Sequence, residues 1–247
     1  MTKHLVSIII PTKNEVDTIP RIVRSMPTFG VSVELIFVDG RSTDGTTEAI
    51  EDQQKRAKSA KHNKFARIVL YQQTKHGKWD AVMLGLSKAR GDICMIYDAD
   101  MTVSVDELEA FYRYSTAHTD ALVIGSRFIY PQERGAMRLL NHTGNIFFSH
   151  IFSILFRQRI TDTLCGTKVF SRASYTRILK ATERFRQKDP YGDFTLLLGA
   201  AKCDMPIYEI PIRYKARVYG ETKISRFRDG FKLLIVLLHA VKDFWRR

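Results

Sequence analysis

The 247-residue sequence predicts an α/β protein built on a mostly parallel sheet, with a more helical second half. Two observations predict this class. Over the first 125 residues, short apolar runs that end in turn residues alternate with amphipathic segments, as strands and helices do in βαβ units. Hydrophobic residues make up 45% of the chain and charged residues 26%, a balance that excludes a disordered protein and a protein with many membrane spans.

The first half supplies the strands of this sheet. Residues 5–10 form a continuous apolar run that stops at Pro11, which is typical of a strand buried on both faces. Residues 104–107 have the pattern Ser-x-x-Glu, a capping box that predicts the start of a helix. Strands are predicted at residues 5–10, 33–38, 66–71, 92–97 and 121–125, and helices at residues 16–26, 46–58, 78–89 and 104–116.

Two long apolar helices dominate the second half, at residues 133–159 and 227–245. Their aromatic residues and basic flanks favour helices that lie on a membrane surface, and packing in the core or in a dimer is the alternative. Between them we predict strands at 169–170 and 206–214 and helices at 172–179 and 194–201. The chain therefore divides into residues 1–125, residues 126–225 with the amphipathic helix 133–159, and the helix of residues 226–247.

The net charge of +13 is confined to the second half. Residues 1–125 contain 16 basic and 16 acidic side chains, so residues 126–247 carry the whole excess. Such an excess favours an anionic partner, which would be a phosphorylated substrate, an acidic membrane or a nucleic acid. Solvated surface charge is the alternative for many of these residues. The basic half has no recognisable nucleic-acid module, so we predict no nucleic-acid partner.

The cellular location is predicted from cysteines and from hydropathy. Three well-separated cysteines and the lack of a Cys-x-x-Cys pair favour a reducing compartment. We identify no signal peptide and no run of roughly 20 apolar residues, the length that spans a bilayer. These features predict a cytoplasmic protein that is peripheral on the cytoplasmic face of a membrane.

Polar residues follow the predicted strands where ligands bind in parallel sheets. Lys13, Asn14 and Glu15 follow the first strand, Asp39 ends the second, and Asp98-Ala99-Asp100 follows the fourth. We expect these three clusters to converge at one edge of the sheet, although turn formation alone would also account for them. Two carboxylates at i and i+2 suit one hard cation, Mg²⁺ or Mn²⁺, that also binds substrate phosphates. By itself this D-x-D pattern is a weak motif.

Four segments, in order, resemble the motifs of family 2 glycosyltransferases, which have the GT-A fold. They are residues 6–15 (VSIIIPTKNE), 37–46 (FVDGRSTDGT), 75–92 (KHGKWDA, Gly85 and ARGD) and 98–100 (DAD). Residues 125–128 (GSRF), 162–168 (DTLCGTK) and 217–223 (RVYGETK) resemble the polyprenyl-phosphate sugar synthases, in particular those of the dolichol-phosphate mannose synthase type.

The resemblance implies a role for each matching residue. Pro11, Lys13 and Glu15 would line the nucleotide, with Glu15 near the ribose, and Asp39 would recognise the base. Lys78 and Asp98 would also contact the nucleotide sugar. Asp98 and Asp100 would bind the metal, with Asp100 as the main ligand. Asp100, Arg127, Asp193, Arg217 and Lys223 would be catalytic, and Arg127, Arg138, Arg217 and Lys223 would hold the acceptor phosphate.

The sequence departs from the family pattern at two places. Gly40 and Arg41 follow Asp39 where the family commonly has a second acid, which leaves the choice of base undecided. Met101 and Thr102 stand where the dolichol-phosphate mannose synthases usually carry a glutamine as a further metal ligand. Thr102 would then offer its hydroxyl or hold a water, or the site would bind metal more weakly.

These features predict an inverting hexosyltransferase that acts at a membrane surface, alone or with a membrane-anchored partner. The donor is a nucleotide sugar, with GDP-mannose favoured over UDP-glucose, and the acceptor is a polyprenyl or dolichyl phosphate. A phosphate acceptor is already anionic and needs no general base, whereas a hydroxyl acceptor needs one. Asp193 lies where many hydroxyl-transferring relatives place their base, and equally suits the cap of the helix that follows. Transfer to a glycan or small-molecule hydroxyl is therefore the alternative, and nucleic-acid binding is a remote third hypothesis.

Overall fold

A seven-stranded sheet forms the centre of the computed structural model, which describes residues 5–61, 63–131, 139–215 and 226–245. The strand order is β3-β2-β1-β4-β6-β5-β7. Strand β6 is antiparallel to β4 and β5, and the other neighbours are parallel. The strands are β1 (Leu5–Thr12), β2 (Ser32–Asp39), β3 (Arg67–Gln72), β4 (Ile93–Ile96), β5 (Leu122–Ser126), β6 (Lys168–Ser171) and β7 (Ile207–Pro211).

Helices cover both faces of this sheet. Their bounds in the described chain are α1 (Ile19–Ser25), α2 (Thr46–Ser59), α3 (Lys78–Lys88), α4 (Leu108–Ala117), α5 (Leu139–Phe156), α6 (Arg172–Ala181), α7 (Asp193–Lys202) and α8 (Arg226–Phe244). Short 3₁₀ turns occupy Val105–Glu107 and Arg186–Lys188. The mostly parallel α/β sheet that the sequence predicts is therefore confirmed.

Strand β1 brings the expected polar clusters to one edge. It lies between β2 and β4, both parallel to it, with Thr12 opposite Asp39 and Ile9 opposite Ile96. The carboxyl ends of these three strands therefore meet at the same edge. Because β6 runs the other way, its first residue, Lys168, lies opposite Ile96 at this edge as well. The predicted convergence is confirmed.

The sheet has an apolar layer on each face, and a third apolar cluster lies farther out. On β1, Ile8 and Ile10 point into one layer and Ile9 into the other, as strand alternation requires. The third cluster joins α5, α7 and α8 and contains residues such as Phe152, Phe194 and Leu237. Each fully buried side chain of this size stabilises the fold by about 1.5–3 kcal/mol.

Several boundaries differ from those predicted. The capping box at Ser104 is wrong. The Ser104 hydroxyl donates to Asp106 (3.2 Å), and Glu107 accepts a hydrogen bond from the backbone N–H of Arg213 (2.8 Å). A tertiary contact of Glu107 thus replaces the local cap, and the α-helix begins only at Leu108. Helix α1 begins at Ile19, three residues late, because Thr18 binds the Glu15 carbonyl in a turn first.

The two long apolar helices each have a buried and an exposed apolar side. Phe148 of α5 and Val236 of α8 are buried in the third cluster, which confirms core packing for one side. On the other side, the most exposed apolar side chains are Ile154 (79%), Leu238 (69%) and Phe231 (65%). None of the helices in the described ranges combines the length and the apolar character that a bilayer crossing requires.

A substitution at Phe152 tests the packing of the third apolar cluster. Its side chain is fully buried and contacts the rings of Phe156 and Phe194, with centroids 5.1 and 4.6 Å away. We expect Phe152→Ala to lower the free energy of unfolding by about 3–5 kcal/mol, because it leaves a cavity. Denaturant unfolding followed by circular dichroism measures this change. Ile154→Ala, on the exposed side of the same helix, is the matched control and should change stability by less than about 0.5 kcal/mol. Equal effects of the two substitutions would contradict this packing.

Candidate active site

The D-x-D loop follows β4 at the carboxyl edge of the sheet. Tyr97 anchors it, with a buried ring and a hydroxyl that donates to the Val103 carbonyl (2.8 Å). Asp100 Oδ1 accepts hydrogen bonds from the backbone N–H (3.1 Å) and the hydroxyl (2.9 Å) of Thr102. Met101 takes the left-handed conformation that this tight turn requires, with φ of 54°. The Thr102 hydroxyl, considered above as a metal ligand, thus orients Asp100.

Lys78 and Asp98 form a close ion pair beside this loop. Lys78 Nζ lies 2.6 Å from Oδ1 and 2.8 Å from Oδ2 of Asp98. Burial acts to lower the pKa of Lys78, but the nearby carboxylates of Asp98, Asp193 and Asp100 outweigh it and raise this pKa above its ordinary value. Burial acts to raise the pKa of Asp98, yet Lys78, Lys168 and Arg127 lower it. Both side chains are therefore charged at neutral pH.

The connection from α5 to β6 packs directly on this pair through Gly166. A Cβ atom at Gly166 would overlap Asp98 Oδ2 and crowd Lys78 Nζ. Glycine is therefore required for the backbone to approach the two side chains so closely. This contact explains the glycine of the segment 162–168, which the sequence alone identifies only by resemblance.

The predicted nucleotide residues lie along the same edge, between two interlocked loops. Asp39 is buried, and its Oδ2 accepts from the Ser42 N–H (3.0 Å) and the Thr47 hydroxyl (3.3 Å). The Glu15 N–H donates to the Thr46 hydroxyl (2.8 Å), and the Asn14 N–H donates to the Ser42 hydroxyl (2.8 Å). The loops after β1 and β2 therefore form one unit that carries Lys13, Glu15 and Asp39 beside Pro11.

The departure at residues 40 and 41 has a structural reason. A Cβ at Gly40 would lie 3.2 Å from Gln73 Oε1 and 3.3 Å from the Thr12 carbonyl, so the site is crowded. Arg41 is left-handed, with φ of 62°, and its Nη2 donates to the Thr74 carbonyl (3.1 Å). Arg41 thus bridges to the segment after β3 at the solvent-exposed rim.

Arg127, which follows β5, is held by a bidentate ion pair. Its Nε and Nη2 donate to the two oxygens of Asp162 (2.6 and 2.8 Å). Burial acts to lower the pKa of Arg127, but Asp162 raises it, and Arg127 in turn lowers the pKa of Asp162 against the effect of burial. Asn145 of α5 donates to Asp162 (2.8 Å), and the Arg127 guanidinium lies 5.2 Å from the centre of the Tyr214 ring. Sequence reasoning assigned no role to Asp162, Asn145 or Tyr214.

Asp193 is the first residue of α7, and it pairs with the buried Lys168. Lys168 Nζ donates to Asp193 Oδ1 and to the Cys165 carbonyl. The residue that caps α7 is Gly192, so the cap interpretation of Asp193 is wrong. Asp189 instead receives the N–H groups of Gly192 (3.0 Å) and Thr195 (2.7 Å) at this helix start.

The remaining predicted phosphate ligands cannot be placed in this arrangement. Arg138, Arg217 and Lys223 lie outside the described residues, so their roles stay predictions. The structure brings together the other candidates: Pro11, Lys13, Glu15, Asp39, Lys78, Asp98, Asp100, Arg127 and Asp193.

The carboxylates of the loop have the donor chemistry for a divalent cation. No group of three or more metal-binding side chains was found among the residues that the structure describes. Mg²⁺ and Mn²⁺ need only one or two protein carboxylates when substrate phosphates complete the shell. Because both oxygens of Asp98 contact Lys78, Asp100 fits the main ligand role better than Asp98 does.

The fold is that of GT-A glycosyltransferases. The glucosyl-3-phosphoglycerate synthase of Mycobacterium tuberculosis, solved with Mn²⁺, UDP and glucosyl-3-phosphoglycerate, superimposes with a TM-score of 0.63 at 18% identity, over 97% of this chain and 80% of that one. The mannosyl-3-phosphoglycerate synthase of Rubrobacter xylanophilus gives a TM-score of 0.66 at 14% identity, over 99% of this chain and 76% of that one.

The sequence profile of Glycosyl transferase family 2 matches residues 7–179, and the chain belongs to this family. It is 26% identical over 246 residues to the UDP-N-acetylglucosamine–dolichyl-phosphate N-acetylglucosaminyltransferase of Methanococcus voltae, covering 96% of each chain. It is 29% identical over 225 residues to the dolichyl-phosphate beta-glucosyltransferase of Saccharomyces cerevisiae, covering 84% of this chain and 66% of that one. The family and the fold inferred from the motifs are thereby confirmed.

Gly166 offers a test of the site geometry. We expect Gly166→Ala to reduce sugar transfer by at least about tenfold, because the added methyl must displace the Lys78–Asp98 pair from its position. Initial rates at saturating donor measure the loss. Gly144→Ala in α5, where an added Cβ has open space, is the matched control and should keep the wild-type rate. A Gly166→Ala enzyme with unchanged rate would show that the close backbone contact is not needed.

Proposed function

We propose that this protein transfers a hexose from a nucleotide sugar to a polyprenyl phosphate. This proposal depends mainly on the similarity, over nearly the whole chain, to a relative that is named for a dolichyl-phosphate acceptor. A second relative named for such an acceptor aligns over 84% of the chain. The motifs of residues 125–128 and 162–168 support the same acceptor class, and they contribute Arg127, Asp162 and Gly166 to the site.

The proposed reaction requires little proton chemistry from the protein. An oxygen of the acceptor phosphate attacks the anomeric carbon of the sugar from the side opposite the diphosphate. The bond from this carbon to the diphosphate oxygen breaks, and the electron pair leaves with the nucleoside diphosphate. Inversion follows from this geometry, and no proton has to be removed from the acceptor. Alignment and charge compensation are then the main tasks of the site.

The described residues divide these tasks. By the resemblance, Glu15 would contact the ribose and Asp39 would recognise the base. Lys78, held on Asp98, supplies a fixed positive charge beside the D-x-D loop. When bound to Asp100, Mg²⁺ or Mn²⁺ would neutralise charge on the diphosphate. Asp162 and the Tyr214 ring orient Arg127, which lies on the side of the site nearest α5.

The lipid character of the acceptor is supported by where the apolar helices begin. Asn145 of α5 contacts Asp162, which holds Arg127. At the start of α8, Asp229 accepts a hydrogen bond from Tyr191 (2.7 Å), two residues before Asp193. The exposed apolar side of α5 and α8 therefore starts beside the candidate site. We propose that this side rests on a membrane surface, directly or with a membrane-anchored partner.

The identity of the donor, meaning its sugar and its base, is a separate part of the proposal. GDP-mannose, favoured from the motifs, and UDP-glucose stay predictions. The Methanococcus voltae relative is named for UDP-N-acetylglucosamine, so this donor belongs in the same comparison. The predicted cytoplasmic side of the membrane also stays a prediction.

The acceptor class is tested by lipid-extractable label. The protein is incubated with Mn²⁺ or Mg²⁺, a polyprenyl phosphate in detergent, and radiolabelled GDP-mannose, UDP-glucose or UDP-N-acetylglucosamine in parallel. We expect one donor to move label into the organic phase. Polyprenol without phosphate is the matched acceptor control and should give none. Asp100→Asn should reduce the transfer by more than about 100-fold, because the main metal carboxylate is lost. Label that moves to polyprenol or to a soluble alcohol instead would overturn the phosphate acceptor.

The membrane face is tested by flotation with vesicles. We expect Phe231→Ser with Leu238→Ser to weaken binding to phosphatidylglycerol-containing vesicles at least tenfold, since each exposed apolar side chain contributes about 1.5–3 kcal/mol on leaving water. Tyr114→Ser is the control, because Tyr114 is exposed on α4, across the sheet from α8. Equal vesicle binding by the double variant and the wild type would remove this surface from the proposal.

A further inference from the structure

A buried lysine occupies the wall of the candidate site. Lys168 is the first residue of β6, and its side chain is only 1% exposed. Its ammonium donates to the Asp193 carboxylate and to the Cys165 carbonyl. The strand around it is apolar, with Val169 and Phe170 fully buried. Asp193 is therefore the carboxylate that directly contacts a cation enclosed in the core, and Asp98 lies near enough for Lys168 to lower its pKa.

Asp193 also lies near the Lys78–Asp98 pair, because the loop before α7 packs on the start of α3. The Trp79 N–H donates to the Pro190 carbonyl (3.3 Å), and Gly192 lies against the Trp79 ring. The neighbouring Lys78 is bound to Asp98 of the D-x-D motif. The Asp193 side chain keeps 15% of its surface exposed. This partial exposure is what the role of a base for a hydroxyl acceptor would need, and the family resemblance left that role open.

The ion pair between Asp193 and Lys168 opposes the role of Asp193 as a general base. If Asp193 took up a proton, Lys168 would lose the carboxylate that its ammonium contacts and would keep only the charge of Asp98 beside it. Breaking a buried ion pair in this way is strongly destabilising. The helix start is also fixed, because Asp189 binds the N–H groups of Gly192 and Thr195 on either side of Asp193. The ion pair and the fixed helix start therefore both oppose proton uptake by Asp193.

We propose that Lys168 is a specificity-determining residue, which withholds Asp193 from proton abstraction and so restricts the enzyme to acceptors that are already anionic. This inference rests on the proposed function. With a phosphate acceptor, its oxygen bonds to the anomeric carbon and no proton moves. With water or an alcohol, the same bond forms while the bond to the diphosphate breaks, and the hydroxyl proton must pass to a base. Without Lys168, Asp193 is the group placed to receive it.

The test compares two products of one donor. Lys168→Met removes the charge, and Lys168→Gln removes it while keeping a hydrogen-bond donor. We measure transfer to polyprenyl phosphate and transfer to water or to added glycerol, with the sugar nucleotide that the extraction assay selects. We expect the ratio of water and glycerol products to lipid product to rise at least tenfold in both variants. Lys168→Arg, which keeps the cation, should retain the wild-type ratio.

A second substitution shows whether Asp193 is the base in these variants. Adding Asp193→Asn to Lys168→Met should return the product ratio to within about threefold of the wild-type value. An unchanged ratio in Lys168→Met and Lys168→Gln, with both proteins folded by circular dichroism, overturns the inference. So does a raised ratio that survives Asp193→Asn. If neither neutral variant folds while Lys168→Arg does, Lys168 is required for folding, and the specificity role is rejected.

The same experiment separates this inference from the proposed function. If the wild-type protein gives no lipid-extractable product with any donor, the phosphate acceptor itself is rejected. If the wild-type protein makes the lipid product and the Lys168 variants show the wild-type ratio, the acceptor stands and only the role of Lys168 is rejected.

Discussion

Matched charges at the carboxyl edge of the sheet hold the candidate site together. Three ion pairs carry this role: Lys78–Asp98, Arg127–Asp162 and Lys168–Asp193. Each pair joins segments that are distant in the sequence, namely α3 with the loop after β4, the end of β5 with the segment before β6, and β6 with α7. In the more deeply buried pairs, Arg127–Asp162 and Lys168–Asp193, removing one partner would leave a buried charge, at a cost of about 3–5 kcal/mol. The relative positions of these segments therefore depend on charge pairing as well as on apolar packing.

The apolar layer of α5, α7 and α8 supports this edge from outside the sheet. Asn145 links α5 to Asp162, and Tyr191 links the loop before α7 to Asp229 of α8 (2.7 Å). Both links lie at the site end of these helices. Aromatic packing around Phe152 then holds the helices against one another. The loop before α7, and with it Asp193, is therefore positioned partly by its contact with α8.

How much of this structure the sequence predicts depends on how far apart the interacting residues lie in the chain. The strands are predictable because local apolar runs determine them, and β1 to β5 lie within one or two residues of their expected bounds. The strand-end positions of Asp39, Asp98 and Asp100 follow from the same runs. The partners of Arg127 and Asp193 are 35 and 25 residues away in the chain, and no local pattern identifies them. The Ser104 capping box fails for a related reason, since Glu107 is taken by Arg213, 106 residues away. The family resemblance supplied site residues that periodicity alone does not.

The net charge of +13 for the whole chain does not describe the candidate site, where acidic side chains outnumber basic ones. Ten charged residues are either described site candidates or ion-pair partners of one: the cations Lys13, Lys78, Arg127 and Lys168, and the anions Glu15, Asp39, Asp98, Asp100, Asp162 and Asp193. Four cations against six anions give −2 when all are ionised. A diphosphate and a phosphate acceptor would be repelled by this set, whereas a divalent cation at Asp100 would offset it. With that cation the set is neutral, so the charges of the diphosphate and of the acceptor phosphate still need positive charge from beyond these ten residues. We expect it from the predicted phosphate ligands Arg138, Arg217 and Lys223.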